Sequence, residues 1–255
     1  MILRRIIAHF RKQEWTAIGI DFVIVVVGVF VGMQVTNWNA DAADRRRGAH
    51  YVERLVRDME LDLGMRRGEA AYYGAVLASV QRADELLADP GSDAEALVVN
   101  AYRASEITYW PQTRATWDEI VSSGDIGLLP VEAGGSDISA YYASDASRFV
   151  YDIMQQSGYR TRLRQIIPMQ VQAALRAGCS DVRNEAQQIT GFAEQCELVV
   201  DRAVLARTAN TLRGDAQLRD ALQYQYSDAY TAQANVSGDV VYLEQALASL
   251  RGETR

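Results

Sequence analysis

The chain is poor in the residues that usually carry chemistry. Of its 255 residues two are histidine, two cysteine and four proline, and Lys12 is the single lysine. His9 lies beside an apolar run, so histidine-based acid–base work would rest on His50 alone. A lone histidine on a helix reads as solvated or structural. Cys179 and Cys196 are spaced C-x16-C. That is not a zinc spacing, and neither histidine is near enough in sequence to complete a site. Gly134-Gly135 lacks the preceding strand and the following lysine of a phosphate loop. Ser122-Ser123-Gly124 is not a nucleophile elbow, which needs G-x-S-x-G after a strand. The carboxylate pairs Glu60/Asp62 and Asp118/Glu119 read as solvated helix faces, because no aromatic cleft accompanies them. The net charge of -7 leaves no general basic footprint for nucleic acid. The expectation is a chain with no catalytic residues, no metal, no cofactor and no nucleic-acid partner.

What the sequence does have is apolar bulk, with 49% hydrophobic and 23% charged residues, a composition that folds rather than stays disordered. The densest apolar run is 17–35, interrupted only by Asp21 and Gln34. Trp15 and Trp38 flank it, where amphipathic rings favour the headgroup level. Their separation corresponds to about 34 Å of helix, enough for a bilayer core and its edges. A cleaved signal peptide would need a shorter run and a small-x-small site, whereas this run ends in Val35-Thr36-Asn37-Trp38-Asn39. Residues 15–38 are therefore predicted to be one transmembrane helix. Residues 39–255 follow as a helical domain in water.

Basic residues stand on both sides of the span: Arg4, Arg5, Arg11 and Lys12 before it, Arg45, Arg46 and Arg47 after it. Arg11 and Lys12 lie closer to the span, which favours a cytoplasmic N-terminus in a bacterial inner membrane. A cysteine pair also fits the oxidising periplasm, where closing a loop of this size would stabilise the fold by roughly 3 kcal/mol. Residues 1–14 carry Ile2, Leu3, Ile6, Ile7 and Phe10 at helical spacing among basic residues. They read either as a basic amphipathic helix on an anionic leaflet or as a topology signal alone. Membrane lipid is one expected partner. A cytoplasmic stub of this size has no room for an output domain, so any signal would pass through a neighbour.

Asp21 is unusual, since a carboxylate within a span costs about 2.5–3.5 kcal/mol at the bilayer centre and less near an edge. Asp21, Val25, Gly28, Gly32, Val35 and Asn39 step by four and three residues and share one stripe. Gly28 and Gly32 form a GxxxG motif, which permits close helix approach. This face is expected to pack on a second copy or on another membrane protein.

Beyond the span the pattern is helical. Tyr51, Leu55, Met59, Leu63, Tyr73, Leu77, Val80, Ala83 and Leu87 recur at three or four residues, with Gly64 and Gly68 as places for weakening or a bend. Asp89-Pro90-Gly91-Ser92 stops that helix. A second helix is predicted over 93–104, an extended aromatic stretch over 106–113 and a short helix over 114–122. A third long helix is predicted over 137–177, capped by Ser136 or Asp137 and bent or broken at Gly158 and Pro168, with Tyr141, Phe149, Ile153 and Leu163 among its apolar positions. A loop over 178–196 follows, with room for a short helix. The last helical region covers 198–250, broken near Gly214, with Leu218, Leu222, Tyr226, Ala229, Val236, Val240, Leu243, Leu247 and Leu250 in phase. No sustained alternation marks a β-sheet, so the fold class is all-α: an N-terminal span and an antiparallel helical bundle.

Two blocks carry a family resemblance. One runs from Gln13-Glu14-Trp15 through Asp21-Phe22-Val23 and Gly28-Val29-Phe30-Val31-Gly32 to Asn37-Trp38-Asn39. The other is Trp117-Asp118-Glu119-Ile120-Val121-Ser122-Ser123-Gly124-Asp125-Ile126, with Leu128-Leu129 and Tyr141-Tyr142. Together they resemble a family of single-pass bacterial membrane proteins defined by a domain of unknown function. The resemblance covers the first forty residues well and the middle loosely. It does not extend to the C-terminal third. It implies a membrane anchor and transfers no activity.

Tyr109, Trp110, Arg114 and Trp117, with Arg103 near, make the best sequence candidate for a small-ligand pocket; the competing expectation is that these rings fill the core beneath a loop. The function expected is a non-enzymatic scaffold or accessory subunit acting through its span, as a homo-oligomer or with another membrane protein. The alternative is a periplasmic small-ligand sensor.

Overall fold

A computed structural model describes residues 15–130, 137–185 and 187–253. The predicted segment 1–14 and the cap at Ser136 fall outside them, as does the side chain of Asp137. The chain divides into two compact units, Met1–Tyr51 and Val52–Arg255. Helix α1 spans Trp15–Ala88.

In the first unit, α1 is long and apolar enough to cross a membrane. Ile20, Phe22, Val23, Ile24, Val25, Val29, Phe30 and Met33 are all exposed.

The second unit is all-α apart from one small sheet, so the expected fold class holds. Helix α2, Ala94–Arg103, starts where Asp93 accepts a hydrogen bond from the Ala96 backbone N–H. Helix α3, Ala115–Ser123, ends on Gly124, whose φ of 75° is the left-handed conformation a helix C-terminus favours. A 3-10 turn, Asp125–Leu128, follows.

The single long helix predicted over 137–177 is four helices: α4 (Asp137–Ala143), α5 (Ala146–Gln155), α6 (Gly158–Ile166) and α7 (Met169–Gly178). Gly158 and Pro168 mark two of the breaks as expected. The third lies at Asp145, whose carboxylate accepts from the Arg148 N–H and starts α5. A capping carboxylate inside a periodic stretch offers the backbone an alternative partner, and here that alternative wins. Phe149, one of the apolar positions of this stretch, is half exposed on α5.

Beyond Gly178, where α7 ends, the stretch to 196 holds no helix among its described residues. It forms an antiparallel hairpin of β1 (Asp181–Arg183) and β2 (Ile189–Phe192), with Asp181 opposite Phe192 and Val182 opposite Gly191. Strands this short give no readable alternation. The turn is closed by Asn184, whose Oδ1 accepts from the Gln188 N–H and whose Nδ2 donates to Gln188 Oε1.

Helices α8 (Arg202–Gly214) and α9 (Ala216–Leu250) complete the bundle, capped by Asp201 and Asp215. Helix α9 packs on α4, α5 and α6, and α8 on α2 and α6. One apolar cluster joins Tyr72, Val76, Val80 and Leu87 of α1 with Leu97, Val150, Leu163, Val171, Leu205, Leu218 and Val236. Tyr226 was expected in this core and is exposed instead; Gln225 is the buried residue. Gln225 is satisfied there, donating to the Ala104 carbonyl at 2.7 Å and accepting from the Ser157 hydroxyl.

Helix α1 continues through Gly64 and Gly68. They clear space for the hairpin: a Cβ on Gly68 would stand 2.7 Å from the Ile189 carbonyl oxygen, and one on Gly64 2.5 Å from Gln188 Nε2. The Gly68 contact is with backbone and cannot be relieved cheaply, whereas the Gln188 side-chain end facing Gly64 can move aside.

Candidate functional site

Three groups of residues stand out: the stripe on the span, the predicted aromatic cluster and a buried polar stripe on α1.

Asp21, Val25, Gly28, Gly32 and Val35 are all exposed. A Cβ added to Gly28 or Gly32 would meet nothing within 4 Å. Thr36 turns its hydroxyl back to the Gly32 carbonyl at 3.0 Å, so the polar group next to the stripe is satisfied within the helix.

The four residues of the predicted aromatic pocket lie on the stretch between α2 and α3 and on α3 itself. Trp117 is buried and stacks on Tyr142, centroids 5.0 Å apart. The Arg114 guanidinium lies over the same Tyr142 ring and donates to the Tyr142 carbonyl at 2.6 Å. Tyr109 packs on Tyr151, with Arg148 over its ring. Trp110 acts through its backbone, its N–H reaching the Ser147 hydroxyl and its carbonyl accepting from Arg66. Arg114 and Trp117 thus converge on Tyr142, and Tyr109 and Trp110 on α5.

The sequence reading missed the stripe that holds this stretch in place. Asp58, Asp62, Arg66, Glu69 and Tyr73 step along one face of α1. Asp62 was read as solvated and is 2% exposed. Its carboxylate accepts from the Thr113 N–H at 3.0 Å, the Thr113 hydroxyl at 2.6 Å and the Tyr141 hydroxyl at 2.8 Å. Arg66, 1% exposed, donates to Glu69 at 2.7 Å and to the Trp110 carbonyl at 2.9 Å. Glu69 accepts from the Ser147 hydroxyl, Asp58 from the Thr116 hydroxyl, and the Tyr73 hydroxyl donates to the Thr108 carbonyl. The stretch between α2 and α3 has no helix or strand to pair its backbone, and α1 side chains supply the partners. Polar residues at helical spacing beside an apolar stripe were the available signal. Its partners lie on distant segments, which spacing cannot identify.

The electrostatics of this stripe are unbalanced. Asp62, Glu69 and Asp239 of α9 are three buried carboxylates around one buried arginine. Arg66 Nε stands 3.5 Å from Asp239 Oδ2, and neither atom has a hydrogen-bond partner. Burial pushes the Asp239 carboxyl up to about 6. Arg66 opposes that rise, while Glu69, Asp145 and Asp62 add to it. Burial also raises Glu69 against the pull of Arg66 and Ser147. Burial works against the Arg66 charge, and Glu69, Tyr141 and Asp239 outweigh it. Among the described residues no group of three or more His, Cys, Asp or Glu is placed to hold a metal ion. The arrangement ties the stretch between α2 and α3, with α3, α4 and α5, to the side chains of α1 and acts as a structural clamp.

Cys179 and Cys196 form a disulfide, with Cα atoms 4.7 Å apart. The bond ties the end of α7 to the segment after β2.

Comparison with family models, with curated proteins and with solved structures gave no match.

Proposed function

We propose that this chain is a membrane-anchored, non-enzymatic scaffold or accessory subunit whose span associates laterally with another transmembrane helix. The observation that carries the reading is the open stripe of Asp21, Val25, Gly28, Gly32 and Val35, exposed at every position with free space over both glycines. Small residues let two backbones approach closely in lipid, where packing and not the hydrophobic effect drives helix pairing. A carboxylate on the same face is costly in lipid and less so in a helix interface that supplies a donor. The anchor belongs in a bacterial inner membrane, with the N-terminus cytoplasmic and the bundle periplasmic. The basic residues before the span and the disulfide support that placement.

The test is purification of the full chain in mild detergent, with a native mass and identification of co-purifying proteins. Gly28→Ile and Gly32→Ile are expected to abolish the oligomer or the co-purifying partner while the bundle keeps its thermal unfolding profile. Assembly that survives both substitutions would exclude this face as the interface.

A further inference from the structure

A cavity of about 100 Å³ lies between α2, the end of α7 and the β1–β2 hairpin. Tyr102, Arg103, Glu106, Leu175, Arg176 and Phe192 line it, together with the Cys179–Asp181 turn. It opens at the surface, where Arg176, Ser180 and Asp181 are exposed, and runs in to buried polar groups. Tyr102 is 4% exposed, and its hydroxyl is buried with no hydrogen-bond partner. Arg103 spends one terminal nitrogen on the Ala193 carbonyl and Cys196 Sγ, at 2.5 and 3.0 Å, and leaves its buried Nε without a partner. Two buried donors, one on each of two neighbouring residues that line the cavity, therefore lack an acceptor, a costly state for buried groups.

Charge points the same way. Arg103 and Arg176 on the wall face Glu106 and Asp181, which balances the lining. Arg164 and Arg160 stand behind it. The Arg164 guanidinium carbon lies over the Tyr102 ring, 3.5 Å from its centroid, and Arg164 donates to Glu106 at 2.6 Å, while Arg160 donates to the Ser105 carbonyl and acts on Glu106. The surroundings thus carry four arginines against two carboxylates. Burial, with Arg176 nearby, lowers Arg164 to about 10, and burial lowers Arg103 as well. An acceptor with one negative charge would satisfy both lone donors and offset the excess. The two wall carboxylates disfavour a doubly charged one. Leu175 and the Phe192 ring leave an apolar surface beside the donors.

We propose that this cavity binds the carboxylate of a small organic acid, with the Tyr102 hydroxyl, Arg103 Nε and the Arg176 guanidinium donating to it and its short carbon chain against Leu175 and Phe192. The site contains none of the residues of the predicted aromatic pocket. It gives the bundle a ligand-dependent role separate from association through the span, so either reading can fail alone.

The experiment titrates sodium acetate and sodium propionate against the full chain in detergent micelles, at constant ionic strength with chloride. Ligand-observed saturation-transfer NMR follows the methyl signals, and inorganic phosphate serves as a separate competitor. Saturable binding of both carboxylates is expected. Arg176→Gln removes a guanidinium that is 63% exposed, so folding is not at risk; affinity should fall by about 10-fold. Tyr102→Phe should weaken binding by about 3- to 10-fold and raise the Tm of the ligand-free protein, because it deletes a buried donor that has no partner. No saturable signal, or unchanged affinity in both variants, overturns the proposal. So does a Tyr102→Phe chain that loses stability yet binds normally. Phosphate displacing acetate at lower concentration than propionate does would overturn the carboxylate assignment.

Discussion

Two stretches of α1 reverse the usual relation between polarity and burial. Between Ile20 and Val35 the large apolar side chains are exposed, from 45% at Val35 to 69% at Phe22. Between Asp58 and Tyr73 the charged side chains Asp62, Arg66 and Glu69 are buried at 1–2% exposure. Each state is costly in water for its own reason, one for unburied apolar area and the other for desolvated charge. The apolar stretch keeps no partner within the described chain, and its composition fits a membrane as solvent. The charged stretch is held by partners inside the fold, with Asp62 alone accepting from three donors. Exposed apolar surface therefore finds no partner among the described residues, whereas buried charge points inward to the segment it organises.

The largest expected effect breaks the inward-pointing half. Asp62→Ala strips the acceptor from the Thr113 N–H, the Thr113 hydroxyl and the Tyr141 hydroxyl. It should destabilise the bundle by about 3 kcal/mol, read as a lower urea midpoint with an unchanged m-value. A midpoint within error of wild type would mean that water satisfies these donors as well as the carboxylate does.

A matched pair of glycine substitutions sharpens the contrast along the same helix. Gly68→Ala places a Cβ against the Ile189 carbonyl and should cost about 1–3 kcal/mol of bundle stability. Gly28→Ala meets nothing and should leave the bundle's unfolding unchanged. Equal effects at the two positions would erase the distinction.

The smallest effect is the most specific. Asp239, raised to about 6, holds its proton more tightly in the folded chain than in the unfolded one. The stability this contributes is full below the ordinary carboxylate pKa and is lost as pH rises through about 6. Asp239→Asn mimics the protonated form. It should raise stability by on the order of 1–2 kcal/mol above pH ~7, with the gain vanishing below pH ~4. A variant that loses stability at every pH would show the ionised Asp239 to be a net stabilising partner of Arg66.

Most helices were legible because their signals are local. Asp93 caps α2, Asp89 to Ser92 end α1, and the spacing of Leu218, Leu222, Ala229, Val236 and Leu243 marks the buried face of α9. The cysteine pair was legible as well, and the disulfide is present. Short-range competition was harder to read. Asp145 could extend a helix or cap a new one, and four-residue strands leave no period to count.

The sequence by itself determined the all-α class, the long apolar N-terminal helix and the stripe it carries, because spacing and composition along the chain specify these; the cysteine pair was expected from an oxidising compartment, and the disulfide is present. Only the tertiary structure decided that Gly64 and Gly68 admit a hairpin, that Asp62, Arg66 and Glu69 are buried, and that Tyr102, Arg103 and Arg176 line one cavity. Each of these depends on contacts between segments 40 or more residues apart in most cases, such as Arg66 with Trp110 and Arg103 with Ala193, separated by 44 and 90 residues. Periodicity reports which face of a helix is apolar. It carries no information on which distant backbone or side chain that face will meet.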